Sequence, residues 1–486
     1  MRTIFPAGLT PGPLYDRATL RTGIVHFGLG NFHRAHQAMY LDRLMNDGQG
    51  LDWAICGVGV MPSDMRMRDV LHDQDYLYTL VLKHPDGYIE RRIIGSIREY
   101  LYAPDDPEAV IRKLSEPGTR IVSLTITEGG YNIDHITGQF DLQAPGVIHD
   151  LTHPSTPRTV FGFIVAALRR RREDGVEPFT IMSCDNIQTN GAVAKRSLLA
   201  FAEAVDHDLA AWIAENVRFP NSMVDRITPA TSDADRTLVQ ERLKIPDEWP
   251  VTAEPFAQWV LEDDFTAGRP PLERAGVQLV DDVEAYELMK LRLLNASHQA
   301  MAYFGALFGY RYAHEAVADP LIRRLLERYM DEEAIPTLRP VPGVDLDHYK
   351  DALLERFSNP AIRDTLARLA TDASDRIPSF LFPVIRENLE ANRSVALSAT
   401  VVASWARYAE GTTDDGEKLV VVDPRSRELT QAARRQRKRP LAFLELRDVF
   451  GDLSDEFGFT APFLDALARM HTHGVRAALW HVVRTR

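Results

Sequence analysis

The sequence predicts an α/β protein: a mostly parallel sheet in an N-terminal domain, then a mostly α-helical C-terminal domain. Three observations carry this. Short apolar runs alternate with helical patterns through the first half. A glycine turn follows the first of those runs, and from about Asp281 onward the pattern is almost wholly helical. A chain of 486 residues is too long for one core, so the domains are taken as 1–280 and 281–486.

The elements follow in order. Gly23-Ile-Val-His-Phe-Gly28 reads as a buried strand, and Arg34 to Met45 as the helix after it. Trp53 to Val60 is a second strand and Arg120 to Ile126 a third, with Thr127-Glu-Gly-Gly130 at its end. Val160 to Arg172 is a helix, Phe179 to Cys184 a strand, and Ala192 to Val205 again a helix. This alternation predicts a parallel sheet covered on both faces, with ligands beyond the carboxyl ends of its strands. The helical half reads as Tyr286 to Phe308, Asp319 to Tyr329, Ile362 to Ala370 and Val395 to Ala409, with breaks such as Pro340-Val-Pro-Gly343. Docked on the first domain, it would put the Tyr286 to Phe308 helix at a junction, where small molecules commonly bind.

Composition narrows the function. Hydrophobic content of 45% and charged content of 26% are ordinary for a soluble globular chain. A net charge of −13 argues against a general nucleic-acid or anionic-membrane binder and fits a cytoplasmic enzyme. Two basic runs, Arg169 to Arg172 and Arg434-Arg-Gln-Arg-Lys-Arg439, read as a helix end and a solvated segment. The two cysteines, Cys56 and Cys184, sit in apolar strands, so neither a disulfide framework nor a structural zinc is expected. The N-terminus, interrupted by Pro6, Pro11 and Pro13, reads as neither signal peptide nor anchor. No repeat or low-complexity tract stands out.

Lys290, Asn295 and His298 lie within nine residues of a segment, Glu284 to about Phe308, that reads as one helix. At about 100° per residue, His298 sits roughly 80° from Lys290, and Asn295 roughly 140°. A solvated polar stripe has that pattern. So does a proton-transfer site, in which a lysine works on an alcohol beside an amide and an imidazole. A free lysine titrates at about 10.4, so a base near neutral pH needs a lower value, toward which burial or a bound cationic cofactor acts.

Gly28 and Gly30, in Gly28-Leu-Gly30-Asn-Phe-His33, fit the first two positions of a Rossmann-type dinucleotide fingerprint. They allow a tight turn and close approach of a pyrophosphate to a helix N-terminus. His33 stands where the third glycine would. Asp64, after the second strand, is the candidate for the ribose-binding acid or else a turn cap; such an acid favours NAD over NADP. His33, Arg34 and His36 at a helix start read as contacts to phosphate or a carboxylate rather than as metal ligands. Asn186, in Ser183-Cys-Asp-Asn186, ends a strand and is either an oxyanion donor or part of an Asx turn. Asp225 and Arg226 place opposite charges in an apolar frame, as a structural ion pair would.

Together with Met223-Val-Asp-Arg-Ile227, Glu254-Pro-Phe-Ala-Gln-Trp-Val-Leu-Glu-Asp263 and Arg356-Phe-Ser-Asn-Pro360, these motifs resemble the long-chain polyol dehydrogenase (mannitol dehydrogenase) family over essentially the full length. The resemblance implies a metal-free, NAD-dependent, monomeric enzyme acting on a small polyol or ketose, with interconversion of D-mannitol and D-fructose as the expected reaction. It implies Lys290 as general acid/base, Asn186 and Asn295 as oxyanion hole, and His298 as an orienting imidazole. Glu287 would gate proton exchange. Asp225, Arg368 and Arg376 would lie near the substrate, and Gly28, Gly30, His33 and Asp64 at the cofactor. Some members carry lysine at the position of Arg376, which changes donor geometry. Some carry a second acid at Ser63, so exclusion of NADP is expected to be weaker here. D-arabinitol 4-dehydrogenase and fructuronate reductase are alternatives within the family. A catalytically silent nucleotide sensor is the alternative outside enzymology, because fold alone never establishes chemistry.

Overall fold

The structure is a computed structural model, and it describes residues 11–133 and 138–484. The chain forms two compact units, Met1–Glu284 and Ala285–Arg486. Among the described residues, no helix is long and apolar enough to cross a membrane.

Among the described residues the first unit holds eleven strands: β1 Thr22–Phe27, β2 Ala54–Gly59, β3 Tyr78–Lys83, β4 Ile89–Ile94, β5 Ile97–Tyr102, β6 Ile121–Leu124, β7 Thr180–Ser183, β8 Ser222–Asp225, β9 Val251–Ala253, β10 Gln258–Glu262 and β11 Gln278–Val280. Five of them make one all-parallel sheet in the order β5-β2-β1-β6-β7. β1, β2, β6 and β7 are buried and rich in Ile and Val, as a sheet covered on both faces requires. One core cluster includes Val25, Phe27, Val58, Val122 and Ile181 with the helix Val160–Glu173; the other includes Ile24, Ile55 and the helix Gln37–Asn46. Two smaller sheets, β4-β3-β9 and β11-β10-β8, complete the unit. The chain leaves β1 toward β2 on one side and later returns to β6 on the other. That reversal puts the switch point of the sheet between the carboxyl ends of β1 and β6.

β5 escaped the sequence reading because the apolar run of Ile-Arg-Glu-Tyr-Leu-Tyr, an edge strand, is interrupted by the exposed Arg98 and the half-buried Glu99. The expected helix from Arg34 is two helices, Asn31–Ala35 and Gln37–Asn46, broken at His36. There φ and ψ are −121° and −92°, and Nε2 lies 2.9 Å from the Gln258 carbonyl oxygen.

The second unit is helical, as expected. Its expected helix Ile362 to Ala370 shortens to Leu366–Leu369. Arg363 has a positive φ of 52°, and the segment after it bridges Arg311–Ala313 through Ala313 N–H to Asp364 O and Leu366 N–H to Arg311 O. The first basic run ends its helix and the second is mostly exposed, both as expected, but one arginine of each makes a specific contact. Arg171 is buried and donates to the carbonyls of Leu114, Glu116, Thr119 and Glu177. Arg437 pairs with the buried Glu410. Each guanidinium joins segments distant in sequence, which no local pattern reveals.

Candidate active site

At the switch point, Gly28 has φ +90°, and a Cβ there would lie 2.1 Å from the Thr125 carbonyl oxygen. Only glycine fits this turn. The Gly28 carbonyl accepts from Gly30 N–H at 2.6 Å and from Thr125 Oγ1 at 2.7 Å, which folds the turn onto the end of β6. Gly30 differs: a Cβ there would meet nothing closer than 3.8 Å. The space above it is open, and a side chain would fill it.

His33, Arg34 and His36 are all buried rather than displayed at the surface of the helix start. His33 is 1% exposed and stacks on His26 with centroids 3.4 Å apart. Burial pushes its pKa well below the usual value, so it is a neutral part of the floor of the turn. His26 below it, hydrogen-bonded to Ser123 and Thr125, is held at about 3, again by burial. Arg34 is fully buried, donating to Trp249 O and Asn31 Oδ1.

Asp64 closes the short turn after β2. Met61 N–H donates to its Oδ2 at 2.9 Å, so the capping role is real and engages one carboxylate oxygen. At the end of β7, Asn186 is exposed. Its neighbour Asp185, which the sequence reading passed over, accepts from Ile126 N–H, Thr127 N–H and Tyr131 Oη at 3.1, 2.8 and 2.7 Å. Burial raises its pKa against those hydrogen bonds. Asp185 thus ties the end of β7 to Thr127-Glu-Gly-Gly130, a short helix. Asp225 is buried at the end of β8. Arg226 beside it donates to the carbonyls of Ala35 and Glu254, so its guanidinium serves backbone oxygens rather than a simple ion pair.

In the second unit the expected single helix is interrupted at its polar residues. Glu284–Met289 and Ala296–Leu307 are α-helical, but Lys290–Asn295 forms a π-helical turn, in which Ala296 N–H donates to Leu291 O five residues back. The projection at 100° per residue therefore fails there. A wider turn rotates less per residue, so Asn295 falls more nearly above Lys290 than α geometry allows. Such turns are rare and often mark functional sites. Glu287, Lys290, Asn295 and His298 are all at most 9% exposed, so the solvated-stripe alternative fails. The Asn295 Nδ2 donor is buried with no hydrogen-bond partner among the described residues. The His298 ring packs on Phe357 at 4.7 Å.

Sequence profiles of two families match the chain: the mannitol dehydrogenase Rossmann domain over residues 22–274 and the mannitol dehydrogenase C-terminal domain over 282–471. The chain belongs to the mannitol dehydrogenase family. It is 46% identical to the mannitol 2-dehydrogenase of Pyricularia oryzae, across 96% of this chain and 94% of that protein. The Phaeosphaeria nodorum mannitol 2-dehydrogenase is also 46% identical, across 96% of this chain and 82% of its own length. Among solved structures, the Pseudomonas fluorescens mannitol 2-dehydrogenase ternary complex with NAD and D-mannitol matches with a TM-score of 0.91, 46% identity, and 99% and 98% of the two chains covered. A D-sorbitol dehydrogenase in substrate-free form matches with a TM-score of 0.89 and 39% identity, covering 98% of each chain.

Family membership directs attention to the two remaining arginines. Arg368 forms a two-point pair with the buried Asp364 at 2.7 and 2.6 Å. Arg376 reaches back toward the Arg368 carbonyl at 3.4 Å. Gln299, one residue after His298, accepts from Tyr303 Oη at 2.7 Å and donates to Leu369 O at 3.2 Å. The polar helix is therefore bonded to the arginine segment. Among the described residues, no group of three or more His, Cys, Asp or Glu side chains is arranged to hold a metal ion.

Proposed function

We propose that this protein is an NAD-dependent polyol dehydrogenase that interconverts D-mannitol and D-fructose by hydride transfer at C2. One observation carries the reading: in a family member 46% identical to mannitol 2-dehydrogenases, a buried lysine shares a π turn with an amide whose donor lacks a partner. A donor left bare in a buried site is unfavourable unless something accepts from it, and a substrate oxygen is a suitable acceptor.

Bound NAD would supply the hydride acceptor for alcohol oxidation, and NADH the donor for ketone reduction. The open space at Gly30 and the glycine-only turn at Gly28 suit a pyrophosphate against backbone. Asp64 would hold the adenosine ribose through its carboxylate, and His33 would shape the floor beneath the turn. Lys290 takes the hydroxyl proton as the alcohol is oxidised and returns it in reduction. Asn186 and Asn295 donate to the oxygen as its negative charge develops. His298, braced by Phe357, orients the same oxygen. Glu287 relays the proton to solvent, and Asp225, Arg368 and Arg376 bind the remaining hydroxyls.

The likeness to a D-sorbitol dehydrogenase makes the choice of sugar the point to test. Consumption of NADH is followed with D-fructose, D-xylulose and D-fructuronate in parallel, and reduction of NAD⁺ with D-mannitol, D-sorbitol and D-arabinitol. Fastest turnover on fructose and mannitol is expected. Preference for fructuronate would reassign the chain as a uronate reductase, for which Arg368 or Arg376 would supply the countercharge. NADH binding without turnover on any of them would make it a sensor.

A further inference from the structure

The π turn ends with a mismatch. Ala296 N–H reaches back five residues to Leu291 O, whereas Ala296–Leu307 resumes α spacing of four. That change of register skips one carbonyl, and by count it is Arg292 O. A buried carbonyl without a donor is unfavourable. Here it accepts from Tyr329 Oη at 2.9 Å. Tyr329 is fully buried, and burial holds its phenol well above its usual pKa, so it stays a neutral donor. It opens a second π turn, Tyr329–Ala334, that packs on the first. The Arg292 side chain is pinned as well, by Thr337 O at 2.7 Å and by Glu387 at 2.8 and 2.6 Å. Arg292 stands between Lys290 and Asn295, so whatever fixes it fixes the turn that carries both.

We propose that Tyr329 is a positioning residue for the reaction: its hydroxyl holds the Arg292 carbonyl, keeps the turn in π geometry and thereby sets Asn295 against Lys290. This rests on the reading of Lys290 as the acid/base. Without the hydroxyl, the turn gains by relaxing toward α spacing, where each carbonyl finds a backbone donor four residues on. Relaxation swings Asn295 toward roughly 140° from Lys290, away from a shared oxygen.

The test is Tyr329→Phe in the full chain, assayed with the polyol that the wild type oxidises fastest. This change removes one oxygen and keeps the ring. We expect kcat to fall about tenfold and its pH profile to shift, while NADH affinity by fluorescence titration stays within about twofold of wild type. A kcat and pH profile equal to wild type would overturn the proposal, even if the melting temperature drops. If that variant does not fold, Glu387→Gln, at the half-exposed partner of Arg292, carries the test. A fall in kcat of roughly threefold at constant NADH affinity supports the proposal, and an unchanged kcat overturns it. Lys290→Ala is assayed alongside. Turnover retained there removes the lysine mechanism itself, whereas a silent Lys290→Ala beside a wild-type Tyr329→Phe removes only the positioning role.

Discussion

Lys290 and Asn295 differ in what their removal should do. On the proposed mechanism Lys290→Ala removes the proton-transfer group, so kcat should fall by roughly 10²-fold or more with the fold intact. Stopped-flow or steady-state assays at saturating substrate measure this, and near-normal turnover would exclude the lysine. Asn295→Ala removes a donor that the protein itself leaves bare, so no internal hydrogen bond is broken. Turnover should drop by about 10²-fold while NADH binding stays near wild type. Collapse of NADH affinity instead would move Asn295 to the cofactor. The histidines at the glycine turn teach the opposite lesson. His33 and His36 look like surface ligands in a sequence, yet both are buried, and His33 is kept uncharged by burial.

Among elements, the glycine turn and a polar junction of three helices invite separate tests. Gly28→Ala forces a side chain into positive φ and onto the Thr125 carbonyl. It should destabilise the N-terminal unit by about 2 kcal/mol or more and weaken NADH binding. A variant with wild-type melting and binding would mean that the turn tolerates a Cβ. The junction is centred on Glu410, which follows the helix Ala396–Tyr408 and is bonded to Gln436 and Arg437 beyond Ser426–Arg435, and to His471 in Phe457–His473. Burial alone would raise the Glu410 pKa, but the hydrogen bonds to His471 and Gln436 outweigh it and bring it down to about 2. The folded carboxyl therefore holds its proton less tightly than the unfolded one. Its stabilisation is full above the unfolded value, near 4.5, and is lost as pH falls from there through about 2. Glu410→Gln should lower stability at neutral pH and flatten the acid limb of a melting-temperature profile. An acid limb as steep as wild type would mean that other carboxylates govern it.

For the whole molecule, the proposed lysine-based chemistry leads to one expectation. If Lys290 does the proton work, turnover needs no metal, and EDTA should leave it unchanged. Loss of activity with EDTA that zinc restores would replace the lysine reading with a metal-assisted one. The division into a parallel-sheet unit and a helical unit was readable because each rests on local periodicity. Short buried apolar runs mark β1, β2, β6 and β7, and the amphipathic and Ala-rich stretches mark the helices. β5 and the two smaller sheets were not readable, because β5 is an edge strand interrupted by charges and the smaller sheets pair strands distant in sequence, such as β3 with β9 and β8 with β10.

The sequence by itself determined the order of elements, the glycine at position 28, and the set of polar residues from Glu287 to His298. It did so because φ preference, apolar period and residue chemistry are local properties. Only the tertiary structure decided that those polar residues are buried and that the helix carrying them widens into a π turn. The same holds for the inward-facing His33, Arg34 and His36, and for Asp185 as the tie between two strand ends. Each depends on a partner far along the chain: Tyr329 on Arg292, Trp249 on Arg34, Gln258 on His36 and Tyr131 on Asp185. A local pattern cannot name such partners, since it holds no information about which backbone groups the fold leaves to be satisfied.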